Sequence, residues 1–409
     1  MLDIKFIREN VDLVKEVVNN KQLDPTVVDK ALELDEKKRK LIGEVENLRS
    51  LKNKYALEKN IEKGKETKTK LQELEPKLSK ISQEFLESLY NIPNVVSKDS
   101  PVGKDETENV VIRKWGEPRK FEFNPKDHME LGTSLKIIDT ETASKVSGAR
   151  FNYLKGDAVL LQNALHQFAM EVLLKKGFIP VVPPLMLKTE VMKKMSRHDP
   201  LEERYYLKED DTMLIGSAEH TLGPMHMDQT LNEKDLPLRY FAFTPAFRRE
   251  AGSYGKDTKG ILRQHQFDKL EMESFSTPED GLKEQDFFVS IQEEFMQALD
   301  IPYQVIQICT GDMGGPDFRQ IDIESWIPSQ DRYRETHTSD YMTDYQSRRL
   351  NTKVRTKEGT EYVHMNDATA FAIGRTIIAI LENYQNEDGS VNIPKVLQKW
   401  VGKKKIGME

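Results

Sequence analysis

The stretch from residue 243 to 275, FTPAFRREAGSYGKDTKGILRQHQFDKLEMESF, decides how the rest of the chain is interpreted. Strand-forming residues stand near both ends, and a segment rich in Gly, Ser and Asp lies between them, which predicts a β-hairpin. Five cations fall within sixteen residues of this hairpin, and three glutamates stand near them: Arg248, Arg249, Lys256, Lys259 and Arg263, with Glu250, Glu271 and Glu273. Both signs together suit a ligand that is phosphate-like at one end and ammonium-like at the other. A solvated charged hairpin explains these residues alone equally well.

Length and composition restrict the class of protein. The chain has 409 residues, of which 32% are charged and 37% hydrophobic, which predicts two domains. Its one cysteine, Cys309, excludes an internal disulfide framework and a multi-cysteine metal site. No apolar run approaches the ~20 residues of a membrane span, and residues 1–10 lack the apolar core of a signal peptide. The cytoplasm is therefore the expected compartment, with no membrane partner.

Helical periodicity dominates the N-terminal quarter. Apolar residues at three- and four-residue steps within residues 1–25 predict one short helix. A seven-residue apolar spacing then runs through 28–60 and again through 71–92, on either side of a polar segment near 63–70. This spacing predicts two antiparallel helices packed as a coiled-coil arm. Pro76 interrupts the second run and predicts either a kink or a helix that starts late.

The arm is basic although the chain as a whole is acidic. Residues 37–70 hold twelve Lys or Arg against five Glu, whereas the whole chain has a net charge of −7. A basic rod on an acidic body suits contact with a nucleic-acid backbone. A solvated coiled-coil surface is the commoner explanation of helices rich in Lys and Glu, so the charge alone leaves both interpretations open.

Beyond a connector at 91–126, strand-like runs outnumber helical ones. Helical patterns are at 160–176, 281–299 and 370–383, and strand-like runs are at 177–187, 205–209, 211–218, 238–248, 261–275, 303–311, 321–327 and 351–356. Short hairpins with few helices between them predict an α+β fold with an antiparallel sheet flanked by helices. Neither GxxxxGK[ST] nor GxGxxG occurs, which disfavours a P-loop or Rossmann nucleotide site.

Several motifs occur in a specific order: SPVGKDE at 100–106, KVSGARF at 145–151, FRRE at 247–250, RQHQFDKLE at 263–271, IESWIPSQDRYRE at 323–335 and AFAIGRTIIAILENYQ at 370–385. Together they resemble the seryl-tRNA synthetases of bacterial type, a family of class II aminoacyl-tRNA synthetases. The resemblance implies a class II antiparallel catalytic sheet with an N-terminal coiled-coil arm. It also implies a tRNA-binding domain at 1–100 with its arm at about 28–92, a linker with the first strand at 101–126, and a catalytic domain at 127–409. A homodimer would form across 177–187.

The resemblance also implies an activity. Serine would attack the α-phosphate of ATP to give seryl-adenylate and pyrophosphate, and the seryl group would pass to the 3′-terminal ribose of tRNA(Ser), with tRNA(Sec) as a further candidate. The arm would grip the long variable arm of tRNA(Ser) by its shape and backbone. The lysines predicted to bind tRNA are Lys52, Lys54, Lys59 and Lys63.

The ATP end of the site is assigned by matching motifs. Arg248 and Arg375 match the arginines that hold the α-phosphate and the distal phosphates, as planar guanidinium groups can with paired donors. They are the predicted catalytic residues. Arg263 matches a further phosphate-side arginine, Phe267 the ring that stacks on adenine, Glu250 the reader of the adenine edge, and Glu335 with Thr338 the positions that hold Mg²⁺ against the phosphates. From residue type alone, Phe267 would be an ordinary core phenylalanine.

The serine end is assigned in the same way to Ser217, Glu219, Arg248, Glu271, Asp367 and Thr369. The chain departs from the family pattern close to this end: Ser217 stands where Thr is usual, Asp340 and Asp367 where Asn is usual, Ala368 where Gly is common, and His220 where an apolar residue is usual. An ionised carboxylate only accepts hydrogen bonds, whereas an amide also donates. Our hypothesis is that Asp367 accepts from the hydroxyl or ammonium group of serine.

Two other functions and one other cofactor are alternatives that the sequence disfavours. A paralogue that binds tRNA or regulates without aminoacylation would lose some of Arg248, Glu250, Glu271, Glu335 and Arg375, and all five are present. A ligase that charges a carrier protein would lack the long arm. His265, His337 and Cys309 suggest zinc, but no set of four ligands has structural-site spacing, so ATP and Mg²⁺ are expected and zinc is not.

Overall fold

The computed structural model describes residues 1–251 and 260–407, so the loop cations Lys256 and Lys259 lie outside the described residues. The helices are α1 (Ile4–Glu9), α2 (Val11–Asn20), α3 (Thr26–Leu57), α4 (Ile61–Tyr90), α5 (His128–Ser134), α6 (Thr140–Ser147), α7 (Asp157–Lys175), α8 (Thr189–Lys194), α9 (Glu219–Leu222), α10 (Gly281–Ala298), α11 (Tyr345–Leu350), α12 (Ile373–Asn383) and α13 (Gln398–Val401).

The strands are β1 (Val110–Trp115), β2 (Ile138–Asp139), β3 (Tyr153–Leu154), β4 (Ile179–Pro180), β5 (Met186–Lys188), β6 (Tyr206–Leu207), β7 (Thr212–Leu214), β8 (Thr230–Asn232), β9 (Leu238–Phe247), β10 (Gln266–Ser276), β11 (Tyr303–Gln307), β12 (Arg319–Ile327), β13 (Arg332–Thr343), β14 (Lys353–Arg355), β15 (Thr360–Tyr362), β16 (His364–Ala372), β17 (Val391–Asn392) and β18 (Lys405–Ile406). In the described part of the chain, no helix is both long and apolar enough to cross a membrane.

The N-terminal segment forms two helices, α1 and α2, so the prediction of one helix is wrong. Asn10 separates them with φ −134°. Its side-chain Nδ2 donates to the Phe6 carbonyl at 3.0 Å, where its own backbone N–H also donates. Asparagine side chains compete for backbone partners in this way and favour helix ends over helix interiors.

The antiparallel arm is confirmed, but its turn is not where the sequence suggested. α3 ends at Leu57 and α4 begins at Ile61, so the polar segment 63–70 belongs to α4. Asn60 caps α4, its side chain accepting from the Lys63 N–H at 3.2 Å, as N-cap residues commonly do. Pro76 lies within α4, so the late start is wrong. At ~1.5 Å per residue, the 32 residues of α3 span about 48 Å.

The base of the arm is tied to the rest of the chain. Ile7, Val18, Leu34, Phe85, Leu89 and Tyr345 belong to one buried cluster. The Tyr345 hydroxyl donates to the Ile92 carbonyl at 2.7 Å, and the Arg349 guanidinium lies 4.4 Å from the Tyr90 ring centre. The buried Lys21 ammonium donates to the carbonyls of Gly314 at 2.9 Å and Asp317 at 2.7 Å. The root of the arm is therefore fixed by apolar packing, by the contact of Arg349 with Tyr90 and by hydrogen bonds from Lys21 to backbone carbonyls.

Eight strands form the main sheet, in the order β1-β11-β12-β13-β16-β10-β9-β4. All neighbours are antiparallel except β4 and β9, which confirms the predicted α+β antiparallel fold. The predicted hairpin is β9 and β10, paired from Leu238–Phe275 to Phe247–Gln266. Residues 177–187 contribute two short strands, β4 and β5, instead of one extended strand.

Sequence reasoning missed two central strands, β13 and β16. β13 reads RETHTSDY through its middle, and β16 reads HMNDATAFA. Their polar residues face the second side of the sheet, so the apolar alternation that normally marks a strand is absent. The helix predicted from residue 370 begins at Ile373, because the three preceding residues complete β16.

The pleat of the sheet separates the core from the site. Helices α7, α10 and α12 cover one face, against which Leu270 and Met272 of β10 pack in the main buried cluster. Glu271 and Glu273 alternate with them and so point to the opposite face. The fold therefore buries its apolar residues under the helices and presents a row of carboxylates on the other side.

Substitution of Phe371 tests whether the main buried cluster stabilises the fold. Phe371 is fully buried, with its ring centre 4.8 Å from that of Phe295. Phe371→Ala should lower the free energy of unfolding by about 3–5 kcal/mol, measured by denaturant titration. The control Leu57→Ala removes a side chain that is 87% exposed at the arm tip and should change it by less than about 0.5 kcal/mol. Equal effects of the two substitutions would contradict this description of the core.

Candidate active site

A cavity of about 280 Å³ opens on the polar face of the sheet. Its walls come from β10, β13, β16, the starts of α9 and α12, the segments that follow β9 and precede β10, and Arg197. The predicted site residues that line it are Glu219, Arg248, Glu250, Arg263, Phe267, Glu271, Glu335, Thr338, Asp367, Thr369 and Arg375. Ser217 reaches the same place through its hydroxyl, which donates to Glu271 Oε2 at 3.2 Å. The structure thus brings together residues that are up to 158 positions apart in the sequence, from Ser217 to Arg375.

One end of the cavity pairs an arginine with an aromatic ring. Arg248 follows directly on β9, and its Nε donates to the Gly216 carbonyl at 3.0 Å. The Arg248 guanidinium lies 5.4 Å from the centre of the Phe267 ring. Its backbone N–H also donates to the His265 carbonyl at 3.0 Å, which continues the hairpin ladder past the last strand pair. Arg248 is therefore held in place before any ligand arrives, with donors left for an anion.

Two ion pairs lie on either side of this end. Arg263 Nη1 is 3.2 Å from Glu250 Oε2, and Arg375 Nη1 is 2.7 Å from Glu335 Oε1. Burial raises the pKa of Glu335, but Arg375, Arg248 and Lys269 outweigh it and hold that pKa below its usual value. Glu335 is therefore ionised. A guanidinium group has five N–H donors in a planar arrangement, which suits it to binding a triphosphate.

The middle of the cavity contains an ammonium that sequence reasoning missed. Lys269 Nζ is 2.8 Å from Glu271 Oε2 and donates to the Ser217 hydroxyl at 3.1 Å. Burial raises the pKa of Glu271 to about 7, and the nearby lysine only partly opposes this. Lys269 lies two residues before Glu271 on β10, and residues two apart on a strand point to the same face. Its place beside Glu271 could therefore have been predicted from the sequence.

Glu219 and His220 provide a second charged position in the same wall. Burial opposes ionisation of Glu219, but the charges of Lys269 and Arg197 hold its pKa well below the usual value. Burial lowers the pKa of His220 to about 3, so its ring is neutral, and its Nδ1 accepts from the Gly216 N–H at 3.0 Å. The residue that departs from the family pattern thus serves as a structural acceptor here.

The far end of the cavity is acidic around one buried guanidinium. Arg197 lies 3.4 Å from Asp367, 3.7 Å from Asp340, 3.8 Å from Asp317 and 3.9 Å from Glu219. The sequence analysis missed Arg197 and Asp317. Arg197 follows α8 in a segment with no recognisable pattern, and its partners come from four other parts of the chain, so the sequence carries no signal for it.

The predicted metal position has oxygen donors but no ready-made cage. Among residues 1–251 and 260–407, no group of three or more His, Cys, Asp and Glu is arranged to hold a metal ion. Glu335 and Thr338 both line the cavity, and Asp322 lies across the ladder from Thr338. Mg²⁺ commonly takes only one or two oxygen ligands from the protein, because phosphate oxygens and water molecules complete its coordination shell. These residues therefore fit a metal that arrives with a phosphate ligand.

The lysines predicted to bind tRNA lie away from this cavity, at the tip of the arm. Lys52, Lys54, Lys59 and Lys63 are all exposed, on the two sides of the turn between α3 and α4. Lys63 Nζ lies 5.7 Å from the Tyr55 ring centre, and Lys54 is 3.9 Å from Glu58. Their charges therefore face solvent and are available to a polyanion.

Two family models match the chain, one in its N-terminal part and one in its C-terminal part. The family model for the seryl-tRNA synthetase N-terminal domain matches residues 1–96, and the model for the class II tRNA synthetase core domain (G, H, P, S and T) matches residues 202–384. The serine–tRNA ligase of Dictyoglomus turgidum is 42% identical, with 98% of each chain covered. That of Pyrococcus horikoshii is 41% identical, with 99% of this chain and 97% of the relative covered.

Solved structures agree in fold and length. The seryl-tRNA synthetase of Pyrococcus horikoshii complexed with ATP superimposes with a TM-score of 0.95 at 39% identity and covers all of both chains. The cytoplasmic serine–tRNA ligase of Naegleria fowleri in complex with AMP gives a TM-score of 0.91 at 32% identity, with 100% of this chain and 99% of that chain covered. On its sequence, its arm and its class II sheet, the chain belongs to the seryl-tRNA synthetase family.

Proposed function

We propose that this protein is an ATP-dependent serine–tRNA ligase. The observation that carries the proposal is the order of groups in the cavity: arginines and an aromatic ring at one end, and buried carboxylates with a hydroxyl at the other. ATP and a small amino acid with an ammonium group match this order. The relatives named serine–tRNA ligase and the neighbours solved with ATP and AMP support the same assignment.

In the first half-reaction, a carboxylate oxygen of serine forms a bond to the α-phosphorus of ATP, and pyrophosphate leaves with its electron pair. Arg248 would stabilise the charge that develops on the α-phosphate, since its orientation is fixed by Gly216. Phe267, 5.4 Å from that guanidinium, would stack on adenine. The amino-acid carboxylate is already deprotonated at neutral pH, so the step needs no general base.

The distal phosphates would engage Arg375 and Arg263. Arg375 is paired with Glu335 and Arg263 with Glu250. Each guanidinium group could exchange its carboxylate partner for a phosphate without the cost of first losing its hydration. Glu250, freed from Arg263, would accept from the adenine amino group. Glu335 and Thr338 would hold Mg²⁺, which supplies positive charge beside the phosphates when bound.

Serine would lie between the arginine end and the acidic end. Its ammonium group would contact Glu271, with Ser217, Glu219 and Thr369 close by, and Arg248 would be near its carboxylate. Asp367 would accept from its hydroxyl group. Rejection of alanine would then depend on polar groups that only a hydroxyl satisfies.

The second half-reaction requires tRNA, for which we propose the arm as the contact. The division into a tRNA-binding domain at 1–100, a linker at 101–126 and a catalytic domain at 127–409 is part of the same proposal, although β1 within the linker pairs with β11 in the sheet. tRNA(Ser) is the proposed substrate and tRNA(Sec) a further candidate. The cytoplasm remains the predicted compartment.

A homodimer is proposed across residues 177–187. Ile179, Val182 and Met186 are all exposed there, and β4 is the edge strand of the main sheet. Exposed apolar residues on a sheet edge are typical of an interface between chains. Sedimentation at micromolar concentration would show a dimer, and a monomer would contradict this part of the proposal.

The function itself is tested by pyrophosphate exchange with ATP across the twenty standard amino acids, followed by charging of total tRNA. Serine should support the fastest exchange among them, and radiolabelled serine should appear on tRNA. Exchange without charging would favour the altered paralogue, and the absence of serine-dependent exchange would refute the proposal.

Arg248 and Arg249 form a matched pair for mutation. Arg248 lines the cavity, whereas the Arg249 guanidinium lies 5.7 Å from the Tyr205 ring centre and does not line it. Arg248→Ala should lower kcat/KM for serine-dependent exchange by at least about a hundredfold, the magnitude typical of losing a donor to developing charge. Arg249→Ala should lower it by less than about threefold. Similar losses in both variants would show that Arg248 has no special role.

The raised pKa of Glu271 predicts that KM for serine depends on pH. The pKa of Glu271 is raised to about 7, so the carboxylate is largely protonated at pH 6 and largely ionised at pH 8. Only the ionised form attracts the ammonium group, so KM for serine should fall roughly tenfold from pH 6 to pH 8. KM for ATP serves as the control and should change much less. A KM for serine that is flat over this range would count against the role of Glu271.

Substitution of the arm lysines should impair the transfer of serine to tRNA but leave the activation of serine nearly unchanged. Replacing Lys52, Lys54, Lys59 and Lys63 together by Gln should raise KM for tRNA at least tenfold and flatten its dependence on salt, because each lost phosphate contact removes counterion release. Serine-dependent pyrophosphate exchange should change by less than about twofold. A matched variant that replaces the exposed Glu44 and Glu46 of α3 by Gln should not weaken tRNA binding. Equal loss of exchange and charging would contradict the proposed contact.

A further inference from the structure

The neighbouring strands β10, β16 and β13 place carboxylates side by side at the end of the cavity away from the proposed ATP position. Along β10, Phe267 at the proposed ATP end is followed by Glu271 at the amino-acid position and then by Glu273. On the neighbouring strand β16, Thr369 pairs with Glu271. Two residues further along the strands, Glu273 pairs with Asp367, and Asp367 also pairs with Asp340 of β13. We call Glu273, Asp367 and Asp340 the acidic row. It lies two residues, or about 7 Å, beyond Glu271 on the side away from ATP.

The acidic row is incompletely paired. Arg197 is its nearest cation, but the distances of 3.4 Å to Asp367 and 3.7 Å to Asp340 exceed the ~2.8 Å of a charge-assisted hydrogen bond. Within the described part of the chain, Asp340 Oδ1, both carboxylate oxygens of Glu273 and Arg197 Nε have no hydrogen-bond partner. Asp340 is only 7% exposed and lines the cavity. Buried polar atoms without partners mark a place where a ligand can supply them.

The charge balance indicates the sign of that ligand. Burial, together with the neighbouring carboxylates, raises the pKa values of Asp367 and Glu273, and Arg197 only partly opposes this. Such a row takes up either protons or a cation. The same carboxylates are not arranged to hold a metal ion within the described residues. An ammonium group, with three donors and a positive charge, fits the unpaired oxygens.

We propose that the acidic row receives a side-chain ammonium group, so that the pocket activates short L-α,ω-diamino acids in addition to serine. This inference rests on the proposed function, because it assumes that the α-ammonium lies at Glu271 and the α-carboxylate faces ATP. From that position the side chain points along the strands, away from Phe267 and toward Asp340 and Asp367.

The reaction is the one already proposed for serine. An oxygen of the α-carboxylate bonds to the α-phosphorus, pyrophosphate leaves, and the side-chain ammonium does not react. In 2,4-diaminobutanoate this ammonium lies one bond further from the α-carbon than the serine hydroxyl, which carries it toward the acidic row. Norvaline has the same length and shape but ends in a methyl group, so the pair isolates the effect of charge.

The first experiment measures pyrophosphate exchange by the unmodified protein with serine, 2,4-diaminobutanoate, norvaline, 2,3-diaminopropanoate and 2-aminobutanoate. We expect kcat/KM for each diamino acid to exceed that for its methyl-terminated counterpart by at least tenfold. If serine supports exchange but the diamino acids do no better than these counterparts, the inference is overturned while the proposed function stands. If serine also fails, the proposed function is what has failed.

A second experiment places the effect on the acidic row. Asp367→Asn and Asp340→Asn each remove one charge with little change in shape. In each variant, the ratio of kcat/KM for 2,4-diaminobutanoate to that for serine should fall at least tenfold. Circular dichroism and the thermal unfolding midpoint report whether each variant is folded, and Glu141→Gln, at an exposed position on α6, is the matched control. A ratio that is unchanged in both variants would overturn the assignment to this row.

Discussion

The two-residue period of strand β10 is the constraint on which the site depends. Leu270 and Met272 must face the helices to complete the core, so Lys269, Glu271 and Glu273 must point to the opposite side of the sheet, where Lys269 and Glu271 line the cavity. A shift of the register by one residue would put charged side chains under the helices and the apolar ones in the site. The packing that stabilises the sheet therefore also fixes where the chemistry of the cavity can lie.

Charge is distributed along the cavity so that each end suits a different part of the ligands. Arg248, Arg263 and Arg375 stand at the end with Phe267, while Glu271, Asp340 and Asp367 stand at the other. Lys269 and Arg197 only partly neutralise the carboxylates. Because a buried excess of negative charge is unfavourable in the empty site, an ammonium ligand relieves it, and binding should favour amino acids that carry such a group in the right place.

The sequence predicted the arm, the β9–β10 hairpin and most of the cavity lining, because those features have periodic patterns or short motifs. It missed β13 and β16, whose polar faces hide the strand period, and it placed the arm turn in a polar segment that is helical. Arg197 and Asp317 could not be predicted, since they meet only through the tertiary fold. The departures at Asp340 and Asp367 were visible in the sequence, but their shared neighbour Arg197 was not.

The orientation of the two substrates is the central claim, and a crystal structure with a non-hydrolysable seryl-adenylate analogue, a seryl sulfamoyl adenosine, tests it most directly. We expect adenine on the Phe267 ring, the sulfamoyl group within hydrogen-bonding distance of Arg248, and the seryl ammonium group at Glu271 with the side chain directed toward Asp367. Density for the seryl group on the arginine side of the cavity, or for adenine beside the acidic row, would contradict it.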